Sequence, residues 1–184
     1  ETATLFFRGV EERLGEVNGV ASVSVSTDAP LAEVQEGMAL LDMASDKAVN
    51  IRYKRVSAGY FRTLDISTLS GRGLSPQDRQ GAPRVMVLNQ TLAARITKQF
   101  GFANPVGRRV RVVTPDWVKL SSTLEATEIV GVIRSELTGN PRLPEGSVAY
   151  IPIEQVPSRR LNIVIRTSAD PLSIVPLIRK AVWD

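Results

Sequence analysis

Apolar residues change their spacing along this chain, and that change limits the folds open to it. Phe6, Val10, Leu14 and Val17 recur at intervals of four, four and three, which places them on one face of a helix over residues 2–16. Asn18-Gly19 ends that helix with residues that tolerate left-handed backbone. The spacing then drops to two. In Val20–Ser26 the residues Val23 and Val25 face one way and Ser22, Ser24 and Ser26 the other, the pattern of a half-buried strand with a polar side. At the far end, Ile163, Val164 and Ile165 form a strand apolar on most positions, which predicts a place inside a sheet. Asp170-Pro171 introduces a last helix. Pro176 would disrupt a helix interior by about 3 kcal/mol, so the regular helix is predicted from Ser173, with Pro176 in its first turn.

The middle of the chain is rich in strands. An apolar run over 37–43, a turn at Ser45-Asp46-Lys47 and the alternation of Val49, Ile51 and Tyr53 read as a hairpin. Its other face carries Arg52 and Lys54, expected in solvent. Ser57 is expected to cap a short helix holding Tyr60, Phe61 and Leu64. Gly71 and Gly73 flank Arg72 in a tight loop, and Ser75-Pro76-Gln77-Asp78 carries the signature of a single helical turn. Residues 85–88 read as a strand. Asn89 caps the next helix, where Leu92, Ile96 and Phe100 form a stripe that Gly101 stops. Further strands are expected over 106–113, 128–134 and 147–152, with a loop over 137–146 that holds two Pro and two Gly. Helices at the ends and strands between them predict an α+β fold: one lobe built from both chain ends and a second lobe inserted in it.

Composition removes whole classes of chemistry. The 184 residues contain no Cys and no His, which rules out disulfides, thiol nucleophiles, Cys/His zinc sites and Ser-His or Cys-His pairings. No apolar run approaches the ~18 residues of a membrane span, no signal peptide is evident, and the abrupt start and end read as a segment cut from a longer chain. The net charge of +4 is uneven: residues 1–50 hold three basic and nine acidic residues, the remainder twenty and ten. No run of five like charges occurs, and aromatic residues make up only 5%, so nucleic acid is not an expected partner.

Local motifs favour structural roles. GFANPVGRR (101–109) superficially resembles a phosphate loop, but its glycine spacing is wrong and no Lys-Ser/Thr follows, so it reads as a helix stop and a turn into a strand. Arg72 is expected to pair with Asp78. Asn89-Gln90-Thr91 matches a glycosylation acceptor but reads better as a helix cap. The acid pairs Glu125 with Glu128 and Asp65 with Asp78 are the nearest approach to an acid/base site, and nothing in the sequence drives their pKa values apart. No catalytic, cofactor-binding or metal-binding residue is assigned, and no cofactor is expected.

Five blocks taken in order carry a further signal: VSAGYFRTLDI (56–66), LSGRGLSPQDRQGAPRVMVLNQTLAARI (69–96), NPVGRRVRV (104–112), EIVGVI (128–133) and VAYIPIEQ (148–155). Together with ERLGEVNGVASVSVS (12–26) and NIVIRTSADPLSIVPLIRKAVW (162–183), they resemble the extracytoplasmic domain of MacB-like, FtsX-like ABC transporter permeases. The resemblance implies a porter-like lobe over 1–59 and 160–184, with an inserted α/β lobe of the kind called Sabre over 60–159. It also implies a non-enzymatic periplasmic domain at the bacterial inner membrane that couples ATP-driven transmembrane motion to efflux or export. The partners implied are the parent chain's transmembrane helices, a second permease copy in a dimer, a cytoplasmic ATPase, a periplasmic adaptor and an outer-membrane channel. The alternative is a periplasmic ligand-binding or hydrolase-recruiting scaffold domain of an FtsX-like membrane protein.

Overall fold

The computed structural model describes residues 2–30, 32, 34, 37–45, 47–113, 126–136, 146–168 and 170–183. Helix α1 (Thr2–Gly15) leads into strand β1 (Val20–Ser26), as the spacing predicts. The hairpin follows as β2 (Gly37–Asp42) and β3 (Ala48–Val56), then the single turn α2 (Tyr60–Thr63) and the short strand β4 (Thr68–Gly71). Strand β5 (Val85–Asn89) runs into α3 (Gln90–Ile96), which ends in a π-helical turn (Thr97–Gly101). The chain closes with β6 (Arg109–Val113), β7 (Ala126–Ile133), β8 (Val148–Pro152), β9 (Asn162–Thr167) and α4 (Pro171–Trp183).

Among the described residues nine strands join one sheet, six of which form a closed ring. The order runs β2, β6, β7, β5, β8, β3, and the β2–β3 hairpin completes the circle. Closure leaves these six strands no free edge along the ring. Strand β1 joins β3 at its end, where Ser26 faces Val56, and β9 pairs antiparallel with β1. The strands expected in the outer lobe thus share a sheet with those expected in the inserted one: β3 pairs in parallel with β8, and β2 antiparallel with β6.

Two apolar clusters explain why β5 and β8 are buried at every position. One face of these strands contributes Met86, Leu88, Ala149 and Ile151 to the cluster inside the ring, which α3 completes with Leu92 and Ile96 and the π-helical turn with Phe100. The other face contributes Val85, Val87, Val148 and Tyr150 to a second cluster under α2. In β7 the register slips between Ile129 and Gly131, and this bulge lets Ile129 and Val132 reach the first cluster while Val130 and Ile133 reach the second. Gly131 is obligatory here, because a Cβ on it would lie 1.9 Å from the Arg72 carbonyl oxygen.

Several expectations need correction. Phe6 belongs to the helical stripe but is 55% exposed, whereas Val10 and Leu14 are fully buried. Ser24 and Ser26 of β1 are buried rather than wet, because α2 sits close on that face; a Cβ on Gly59 would lie 3.2 Å from the Val23 carbonyl oxygen. Residues 106–108 form a turn with Gly107 at φ +81°, so the strand expected from 106 starts at Arg109. Strand β9 stands at the edge of the sheet, not inside it. Its continuous apolar character comes from covered faces, with Val164 in the second cluster and Ile163 and Ile165 half-buried opposite. Helix α4 begins at Pro171, because Asp170 fixes its start by accepting from the Leu172 and Ser173 amides at 3.2 and 3.1 Å. Pro176 therefore lies inside the helix and forfeits one backbone hydrogen bond. The loop expected over 137–146 lies almost wholly outside the described residues.

Candidate functional site

Of the polar groups singled out from sequence, two sit where expected. Arg72 meets Asp78 in a two-pronged contact, Nη1 to Oδ2 at 2.7 Å and Nη2 to Oδ1 at 2.8 Å. Asp78 also accepts from the Ser75 amide at 2.8 Å, which closes the Ser75–Asp78 segment as a turn rather than a helix. Burial alone would raise the Asp78 carboxyl, but the Arg72 and Ser75 hydrogen bonds outweigh it and hold the group below its ordinary range. Asn89 caps α3: its Oδ1 accepts from the Leu92 amide at 2.9 Å and from the Val148 amide at 3.2 Å. At 2% exposure it is committed to the fold. Asp65 is exposed and lies 4.0 Å from Arg166, while Glu125 falls outside the described residues. GFANPVGRR is a helix stop and turn, with Gly101 at φ +78° and the Asn104 side chain accepting from the Val106 amide.

Sequence reasoning missed the two polar constellations that join the parts of the molecule. The first surrounds Lys54, expected in solvent and in fact fully buried. Its ammonium pairs with Glu136 Oε1 at 2.5 Å, and Glu136 also accepts from the hydroxyls of Tyr60 at 3.0 Å and Tyr150 at 3.1 Å. Burial first, then the negative charge of Glu136, push the Tyr60 phenol far above its ordinary value, so it stays a donor at any physiological pH. Strand β3, helix α2, strand β8 and the end of β7 are thereby tied at one carboxylate. Glu136 is 82 residues from Lys54, which is why strand periodicity alone put Lys54 on a wet face.

The second constellation lies where α1 meets the ring. Ser57, expected to cap α2, does not; Gly59 holds the cap position without a side-chain bond. The Ser57 hydroxyl instead donates to Glu11 of α1 at 2.6 Å and accepts from the Val25 amide of β1 at 3.0 Å. Beside it a small cavity is lined by Phe7, Arg8 and Glu11 of α1, Val25 of β1, and Ile153, Glu154, Ser158 and Leu161 of the segment between β8 and β9. Burial raises the carboxyls of both Glu11 and Glu154; the Ser57 hydrogen bond opposes this at Glu11, and the charge of Glu154 adds to it. The arrangement is suited to holding three elements together, with two carboxylates that resist ionisation at the joint.

Comparison with known proteins decides the family. The profile of the MacB-like periplasmic core domain matches residues 3–180. This chain belongs to the MacB-like periplasmic core domain family. Its fold is similar to the periplasmic region of MacB from Actinobacillus actinomycetemcomitans, at 16% identity and a TM-score of 0.63, covering 96% of this chain and 74% of that one. It is also similar to the extracellular domain of the noncanonic ABC-type transporter YknZ from Gram-positive bacteria (16% identity, TM-score 0.57, 95% and 76% covered). A domain of a permease protein from Porphyromonas gingivalis matches at 12% identity and a TM-score of 0.60, with 92% and 72% covered. No curated protein matches the chain. The family is that of periplasmic domains of ABC transporter permeases, and the α+β fold is theirs. Among the described residues no helix is long and apolar enough to cross a membrane.

Proposed function

We propose that this domain makes and breaks no bonds itself and passes ATP-driven movement of its parent permease's membrane helices to partners or cargo outside the cytoplasm, in efflux or export. The observation that carries this reading is the joint at Ser57. A single hydroxyl links the N-terminal helix, the strand β1 that follows it and the segment leaving β3, so displacement of α1 loads the ring directly. The Lys54–Glu136 node stiffens the next link, because the two tyrosines and the lysine that meet Glu136 come from three different elements. Family membership supplies the setting of a membrane permease worked by an ATPase.

These 184 residues hold no native Cys, so an introduced pair supplies the only thiols within them. Arg8→Cys and Ser158→Cys line the same cavity from α1 and from the segment before β9. In a full-length permease freed of other cysteines, Ser57→Ala is expected to bind nucleotide but to lose cargo movement, and oxidation of the pair to restore it by replacing the lost link. Full transport by Ser57→Ala with the pair reduced would end the relay reading.

A further inference from the structure

Between Asp78 and Asp116 the chain runs for 37 residues with seven cations and no acid. The fold gathers part of this stretch at one end of the ring. Arg95 and Lys98 lie on the helical segment that packs Leu92, Ile96 and Phe100 into the ring, where Arg95 Nη1 donates to the Asn50 carbonyl at 3.0 Å and Gln99 reaches the Ala48 carbonyl at 2.9 Å. Arg108 lies over the Phe102 ring at 5.6 Å, and Phe102 meets Phe100 of the same segment. Arg109 follows, and its neighbour Val110 faces Asp42 across the β2–β6 ladder. The Asp42 amide in turn bonds the Lys47 carbonyl. Lys47, Arg95, Lys98, Arg108 and Arg109 are all exposed.

Among the described residues this end sets five exposed cations against two acids, so it keeps a positive balance. Asp42 is buried and accepts from Ser45 at 2.7 Å. Glu128, opposite Arg109 in the β6–β7 ladder, is half-buried. Two of the guanidinium groups are already oriented, Arg95 by a carbonyl and Arg108 by a ring, which lowers the ordering cost of a bidentate contact. The patch also sits apart from the joint: the β3 residues beside it are Ala48 and Asn50, whereas the joint adjoins Val56, so most of a nine-residue strand lies between them, a distance of about 25 Å.

We propose that this basic end of the ring docks an acidic surface of a partner protein. It deepens the relay reading, since a relay must act on something, and rests on it only for that purpose. A membrane surface fits less well, because interfacial binding needs apolar insertion beside the charge. Among the described residues the exposed large apolar side chains are Phe6, Leu172, Val175 and Leu177 on the terminal helices, Leu69 on β4, and Met43 near the patch. Nucleic acid fits less well still, as Phe102 lies half-buried beneath Arg108 and offers no open stacking face.

The test uses the purified domain with fluorescent poly-glutamate as the acidic probe, and phosphatidylglycerol vesicles and polyuridylate as competing arms. Lys98→Glu with Arg109→Glu is the informative variant, since neither side chain holds a hydrogen bond among the described residues. Arg159→Glu with Arg160→Glu, exposed before β9, is the charge-matched control. Expected are salt-sensitive binding of poly-glutamate, loss of about tenfold or more in affinity in the first variant, and little change in the control, with the melting temperature unchanged in the control and slightly lowered in the first variant, where a glutamate faces Glu128 across the ladder. Equal loss in the two variants would reduce the effect to net charge and overturn the proposal. So would tighter binding of vesicles or polyuridylate through the same residues. Failure here with a working crosslink response in the permease would remove the docking surface and leave the relay standing.

Discussion

Two ion pairs in this domain use similar chemistry in opposite settings. Arg72 and Asp78 are six residues apart at the rim, with the arginine side chain 48% exposed. Lys54 and Glu136 are 82 residues apart in the interior, with side-chain exposures of 0% and 8%. The rim pair closes a local loop, and its arginine keeps much of its hydration although Asp78 is buried. The interior pair loses hydration on both sides and depends on two tyrosine hydroxyls to complete its bonding. A buried pair earns little net stability against an apolar replacement, yet removing one partner strands a charge. The difference separates a contact that shapes one loop from a contact that fixes how distant elements meet.

The comparison breaks most readily at Lys54. Lys54→Ala leaves Glu136 buried without its cation and is expected to destabilise the domain by about 3–5 kcal/mol, while Lys54→Met with Glu136→Gln, which keeps an acceptor for Tyr60 and Tyr150, recovers most of it. Urea unfolding midpoints measure both, and an unchanged midpoint in Lys54→Ala would show that the interior pair holds nothing. Arg72→Ala should be milder, about 1–2 kcal/mol, or a fall in Tm of about 3–6 °C for a chain of this size. The Asp78 carboxyl is held low in the folded state, so its contribution is present above the unfolded value and is lost as pH falls through the folded one. The variant should therefore flatten the acid limb of the stability curve below about pH 4.

The smallest effect sharpens the contrast with the joint. Glu11 and Glu154 have raised carboxyl values, so the folded state holds their protons more tightly than the unfolded chain. Their contribution is fully present below the unfolded value near about pH 4 and fades as pH rises through the folded values. Glu11→Gln keeps an acceptor for Ser57 and removes the charge. It is expected to leave stability at neutral pH equal or slightly higher and to weaken its decline above about pH 4. Thermal melts across that range measure it; a steeper decline in the variant would reverse the assignment.

Much of the secondary structure was legible because it depends on neighbours in sequence. The stripe of Leu92, Ile96 and Phe100, the Asn89 cap and the Arg72–Asp78 pair all bring together residues at most eight apart, within reach of a turn or a helix face. The misreadings share one cause. Lys54 looked solvated, Ser24 and Ser26 looked wet and β9 looked interior, because periodicity reports how polar and apolar residues alternate and not what covers each face. A strand with both faces covered and one edge open has the same pattern as a central strand.

By itself the sequence determined the order of most elements, the helix stops at Asn18-Gly19 and Gly101, the absence of thiol and imidazole chemistry, and the family, since each is written in local spacing or in blocks of residues. Only the tertiary structure decided that six strands close into a ring, that a lysine on a strand is sealed under two tyrosines, and that Ser57 serves as a joint rather than a cap. Those outcomes depend on contacts between residues tens of positions apart. Such contacts form only when burial of apolar surface offsets the cost of dehydrating the polar groups carried in with it.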